Sequence, residues 1–175
     1  MNQKTKLKKT IFIAIMISMS IVLSIVESMI STTFFIIPGV KIGLANILTL
    51  VVLYIYGEKE ALIVVVIRIL LVAIISPVST LLSFSLSISG GLFAIVTMIF
   101  VKKIKSLSIM STSVMGSLMH MVGQILMAMF VLETPTLIYY LPYMMILSVP
   151  TGIFTGIIGK KLVYIFEHQL NGQKE

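Results

Sequence analysis

Glu27, Lys41, Asn46, Arg68, His120 and Gln124 stand inside or at the edge of long apolar runs, where polar side chains are expensive. Such groups normally face a bundle interior or a water-filled cavity. Together they can build a polar pocket with an excess of positive character. Lys41 and Arg68 attract an anionic or carbonyl-rich solute, while Asn46, His120 and Gln124 supply directional hydrogen bonds. His120 and Gln124 are four apart, so a helix puts them on one face. A plainer arrangement uses the same residues: Glu27 pairs with Lys41 or Arg68, and the others bond helix to helix. Lys41 in particular can snorkel to an interface.

Other chemistries find little support. The chain has no cysteine and no aspartate, and its acids are Glu27, Glu58, Glu60, Glu133, Glu167 and Glu175. Thiolate chemistry is therefore excluded. A magnesium–diphosphate enzyme needs clustered carboxylates, and Glu58 and Glu60, the only close pair, sit in a short loop. His120 has no second histidine within the apolar runs, so no metal site is expected. No Gly-x-Ser-x-Gly elbow occurs, and no Gly-x-x-x-x-Gly-Lys-Ser/Thr phosphate loop. These absences predict a binding protein without cofactor, intrinsic ATPase or catalytic residue. A proton-coupled carrier acting alone through Glu27 and His120 is disfavoured, since no inverted repeat or broken-helix pair is visible.

Helices in lipid must position these residues. Of 175 residues, 58% are hydrophobic and 11% charged, with a mean hydropathy of +1.15. Soluble domains run about 45–50% apolar and about 25% charged. The chain reads as an all-α integral membrane protein of one domain, with six transmembrane helices. These run at about 10–31, 42–56, 61–76, 82–101, 110–132 and 137–166. The second and third are short for a full span. Pro38, Gly57, Pro77 and Pro135 punctuate four of the breaks.

Basic residues cluster at the ends of these runs, so the net charge of +7 is a topology signal rather than a nucleic-acid groove. With the N-terminus inside, Lys4, Lys6, Lys8, Lys9, Lys59, Lys102, Lys103, Lys105, Lys160, Lys161 and Lys174 are all cytoplasmic. Both termini are then expected in the cytoplasm, and the first helix is read as a retained anchor rather than a cleaved signal. In this orientation Glu27 lies toward the outer end of helix 1. Lys41 starts helix 2 at the outer boundary, with Asn46 about 7–8 Å deeper at helical rise. Arg68, His120 and Gln124 fall near mid-depth.

Small residues recur at spacings of four: Ala14 and Ser18, then Ser20, Ser24 and Ser28, and Gly152 and Gly156, with "SISGG" at Ser87 to Gly91. Such faces let helices approach closely, inside the bundle or against a partner. Pro142 and Pro150 are expected to kink helix 6.

The stretch "PGVKIGLANILTLVVLYIYGEKEALIVVVIRILL", Pro38 to Leu71, resembles the Gx transporter family of small bacterial membrane proteins, also catalogued as heptaprenyl diphosphate synthase component I. Its Lys-x-Gly-Leu-Ala-Asn core is the most specific part. "SISGGLFAIVTM", "MHMVGQILMA" and "TPTLIYYLPYM" extend the likeness over nearly the whole chain. The family in turn is similar to the substrate-binding S-components of energy-coupling factor transporters. That resemblance implies six helices, both termini inside, a solute site in the outer half, and partners: a transmembrane coupling subunit and two cytoplasmic ATPases. It also implies that the Ala14–Ser18 face docks the coupling subunit. The synthase name implies instead a noncatalytic membrane partner in quinone side-chain synthesis, since prenyl diphosphate synthases rely on aspartates this chain lacks.

Overall fold

The computed structural model describes residues 3–34, 41–76 and 80–171. Among these the chain is helical: α1 Gln3–Phe34, α2 Asn46–Ile55, α3 Glu58–Ile75, α4 Leu81–Lys103, α5 Ile109–Val131 and α6 Leu141–Asn171, with a 3-10 helix Pro135–Tyr140 before α6. No strand occurs among the described residues. The segments Lys6–Ile30, Leu81–Lys103, Ile109–Val131 and Pro135–Gln169 are long and apolar enough to cross a membrane. Their outer faces carry exposed apolar side chains such as Ile15, Phe100, Phe130 and Ile157. A soluble surface has no reason to gather so many, whereas a lipid-facing one does.

The second apolar segment departs from the expected span. Residues 41–43 are not helical, a turn covers 44–45, and α2 begins only at Asn46. Ten residues of helix rise about 15 Å, half the thickness of a bilayer core. The shortness has a physical counterpart in burial. α2 touches every other α-helix, and Leu50, Val51, Val52 and Leu53 are almost wholly enclosed. It is the axle of the bundle, and its core partners include Met16, Val64, Val65, Ile95, Met98 and Val163.

The α3 helix starts earlier than expected, at Glu58, because Gly57 takes φ +102° and turns the chain directly into it. Glu58 and Glu60 then sit in its first turn, where the helix dipole favours acids. Glu60 pairs with Lys9 of α1, Glu58 lies 3.3 Å from Lys103 of α4, and Lys102 Nζ donates to the Leu53 carbonyl near the end of α2 at 2.6 Å. These contacts tie four helices together at the basic end of the bundle.

Small residues set the remaining seams. A Cβ on Gly152 would meet Val114 of α5 at 2.8 Å, and one on Gly156 would meet Met110 at 3.1 Å. Ser113 and Thr155 hydrogen bond across that seam at 2.8 Å. In α1 the two small-residue rows part company: Ser20, Ser24 and Ser28 are buried, while Ala14 and Ser18 are exposed. Pro142 falls in the first turn of α6, where no intrahelical donor is needed, so it breaks nothing. Only Pro150 lies within the helix. The expected punctuation at Pro38 and Pro77 lies outside the described residues.

Candidate functional site

The C-terminal end of α1, the segment entering α2, the outgoing half of α3 and the start of α4 converge at the end of the bundle opposite the basic cluster. Between them is a cleft that reaches His120 at the middle of α5. Five of the six polar residues singled out in the sequence line it: Glu27, Lys41, Asn46, Arg68 and His120. All five are at least nine-tenths buried. Ser24, Ser83 and Ser87 add hydroxyls, and Ile69, Val72, Ala73 and Phe84 form the apolar part of the wall. The cavity volume is only ≈ 20 Å³, about the room for one water. A larger solute enters only as lining side chains move.

Glu27 forms no ion pair with Lys41 or Arg68. Its Oε1 accepts the backbone N–H groups of Gly43 and, at 3.2 Å, Leu44. Those amides open the turn that starts α2, and an anion at a helix N-terminus is stabilised by the orphan donors and the dipole. The glutamate of one helix thus caps the next. Gly43 is required there: its φ is +96°, and a Cβ would stand 3.0 Å from Asn46 Nδ2 and 3.4 Å from the His120 ring.

Gln124 does not line the cleft. Its Oε1 accepts the Lys41 N–H at 2.8 Å and its Nε2 donates to the Lys41 carbonyl at 2.9 Å. The side-chain amide pairs both ways with one backbone residue, as a neighbouring strand would. It holds the non-helical segment 41–43 against α5. Its second Nε2 hydrogen points to His120 Nε2. An amide nitrogen has no lone pair, so His120 Nε2 must accept, which assigns the Nδ1–H tautomer from the network.

Lys41 is buried rather than snorkelling. Its Nζ donates to Ser87 Oγ at 3.1 Å, and Ser87 in turn donates to the Ser83 carbonyl at 2.7 Å. Arg68 Nη2 reaches Asn46 Oδ1 at 3.4 Å. Three buried nitrogens of the wall, Arg68 Nε, Asn46 Nδ2 and His120 Nδ1, have no hydrogen-bond partner. The expectation that Lys41 begins a helix with Asn46 one and a half turns below is corrected: Lys41 is not helical and Asn46 is the first helical residue.

Gly90 and Gly91 of α4 bring the walls together. A Cβ on Gly90 would come within 2.8 Å of Gln124 Cγ and His120 Cε1, and one on Gly91 within 2.9 Å of Ile69. The "SISGG" row therefore seats the histidine and the α3 wall. The sequence marks that row, Ser87 included, as a close-approach face and assigns nothing to Ser83 or Phe84. The four-residue step from Ser83 to Ser87, continued by Gly91, was the available signal. Ala14 and Ser18 are not part of the cleft. Ser18 lies nine positions before Glu27, about 13 Å along α1 at helical rise, and its Oγ donates to the Ala14 carbonyl at 2.9 Å.

No curated protein and no solved structure matches the chain. The family model for heptaprenyl diphosphate synthase component I matches residues 16–162, which include every residue of the cleft. The chain belongs to the heptaprenyl diphosphate synthase component I family.

Proposed function

We propose that the protein is a membrane solute-uptake subunit that binds a small molecule in the cleft, in the manner of an S-component of an energy-coupled transporter. The observation that carries this reading is the set of buried, unpartnered donors, Asn46 Nδ2, Arg68 Nε and His120 Nδ1, at a cleft confined to one end of the bundle. Buried donors without partners destabilise a fold, and a ligand that satisfies them offsets that cost. The positive-inside rule applied to the far end, with Lys9, Lys59, Lys102 and Lys103, puts both termini in the cytoplasm and the cleft in the outer half. The chain is then a six-span protein in which α2 is a short, enclosed span and α3 a second short one.

On this reading the chain is not an enzyme. It has no phosphate loop, so ATP-driven transport requires partner ATPases and a transmembrane coupling subunit. The exposed Ala14–Ser18 face of α1 is the proposed docking surface, since both residues lie outside the face that α1 packs against α2 and α3. Solute enters from outside, and reorientation driven by the partners releases it inward.

The family's name favours a second reading: a noncatalytic membrane subunit associated with heptaprenyl diphosphate synthase. Affinity purification from native membranes separates the two. Co-purification of ATPases and a coupling subunit, lost on Ala14→Leu, supports uptake. Recovery of a soluble prenyltransferase in their place overturns it.

A further inference from the structure

Buried donors at the wall of the cleft lack partners, and they name a ligand class. Among the acceptors, Glu27 Oε1 is held by two backbone N–H groups, Asn46 Oδ1 takes Arg68 Nη2, and Gln124 Oε1 and His120 Nε2 are also engaged. Ser87 Oγ both accepts from Lys41 and donates to Ser83. The unpartnered buried nitrogens at the wall, Arg68 Nε, Asn46 Nδ2 and His120 Nδ1 in its Nδ1–H tautomer, are donors on residues 4%, 6% and 4% exposed. A ligand rich in donors, such as an amine or a sugar, leaves these buried donors unsatisfied. A ligand that presents acceptors finds these donors and the Lys41 ammonium waiting.

Formal charge narrows the class further. The ionisable groups at the wall are Glu27, Lys41 and Arg68, with His120 in its neutral tautomer, which leaves one surplus positive charge. In a poorly solvated cleft an uncompensated charge is costly in either direction. A singly charged anion brings the sum to zero. A phosphate monoester or a diphosphate carries it to the negative side. The apolar wall of Ile69, Val72, Ala73 and Phe84 then receives carbon rather than further polar atoms.

We propose that the cleft takes the singly charged oxyanion head of a small organic acid, a carboxylate seated between Arg68, Asn46 and Lys41, with its carbon skeleton against Phe84 and the α3 wall. This rests on the solute-binding reading above and names the class of solute. It also separates the site from prenyl diphosphate binding, whose ligands carry more than one negative charge.

The test uses the full-length protein in detergent and a metabolite extract divided on an anion exchanger. The three pools are neutral or cationic compounds, singly charged anions and multiply charged anions. The readout is thermal stabilisation. The expected result is stabilisation by the singly charged pool alone, abolished when that pool is esterified in acidic methanol, which caps carboxylates. Asn46→Asp adds a negative charge at nearly constant shape and removes a donor, and Arg68→Gln removes the fork. Each is expected to raise the concentration of the pool needed for half-maximal stabilisation by about tenfold or more. Unchanged elution on size exclusion identifies variants that remain folded. Stabilisation by the neutral or the multiply charged pool overturns the class while leaving solute binding intact. Stabilisation by no pool overturns the carboxylate proposal, and small molecules released from the native protein then decide whether uptake falls with it. A response that persists unchanged in Asn46→Asp overturns the placement.

Discussion

Glu27 and Gln124 are the two residues whose roles differ most from their chemistry in isolation. A glutamate and an amide among apolar helices suggest ligand contacts, yet both hold the backbone of residues 41–44. Gln124→Leu keeps the volume and leaves the Lys41 N–H and carbonyl buried without partners. Its expected cost is about 2–3 kcal/mol, read as a lowered thermal midpoint in detergent, with solute binding lost because Lys41 is no longer held. Glu27→Gln keeps an acceptor for Gly43 and Leu44 but removes the charge at the start of α2. Loss of about 1 kcal/mol or somewhat more is expected there, the scale of a partly buried charge at a helix terminus. The polarity of these residues was legible in the sequence, because ionisable groups among apolar runs must be satisfied somewhere. Which partner satisfies them was not, since backbone N–H and C=O groups belong to every residue and leave no mark on composition.

Among the elements, α2 shows where periodicity misleads. Its apolar run continues upstream through "VKIGLA", so the eye extends the helix to residue 42. Residues 41–43 stay out of the helix because Glu27 and Gln124 satisfy backbone groups of this segment in place of helical bonds, and because Gly43 tolerates a positive φ. Gly43→Ala is therefore expected to destabilise by roughly 1–3 kcal/mol, through strain at a positive φ and crowding of Asn46. Gly90→Ala should cost a similar amount by pushing His120 and Gln124 away from α4, again measured as a fall in thermal midpoint. The contrast is the exposed face of α1. Ala14→Leu and Ser18→Leu should leave stability within about 0.5 kcal/mol of the parent, because both lie on the exposed face of α1. If the proposed docking is right, these two variants lose partner co-purification while retaining bound solute. The two small-residue rows of α1 look alike in sequence. Only the bundle decides that Ser20, Ser24 and Ser28 face inward and Ala14 and Ser18 outward.

At the scale of the whole molecule, the chain is polarised. Lysines and two of the glutamates tie the helices at one end, while the buried donors of the cleft lie toward the other. The proposed topology follows from that polarity by the positive-inside rule, and the cysteine-free sequence makes it simple to check. Thr136→Cys should react with a membrane-impermeant maleimide on intact cells. Lys105→Cys should react only after permeabilisation. The reverse pattern would place the cleft on the cytoplasmic side and remove the uptake route. The membrane class and the approximate helix order were readable from hydropathy and the lysine runs. The converging helix ends that make a cleft were not, because they depend on α2 being short and enclosed.

The most direct measurement is the small-molecule content of the protein purified from its native membrane. Protein is denatured, the released compounds are quantified by mass spectrometry, and the wild type is compared with Arg68→Gln. The account predicts a compound present at a substantial fraction of one per chain in the wild type and depleted in the variant. A wild-type protein that releases nothing above the level of an unrelated membrane protein, or a compound retained equally by Arg68→Gln, would contradict it.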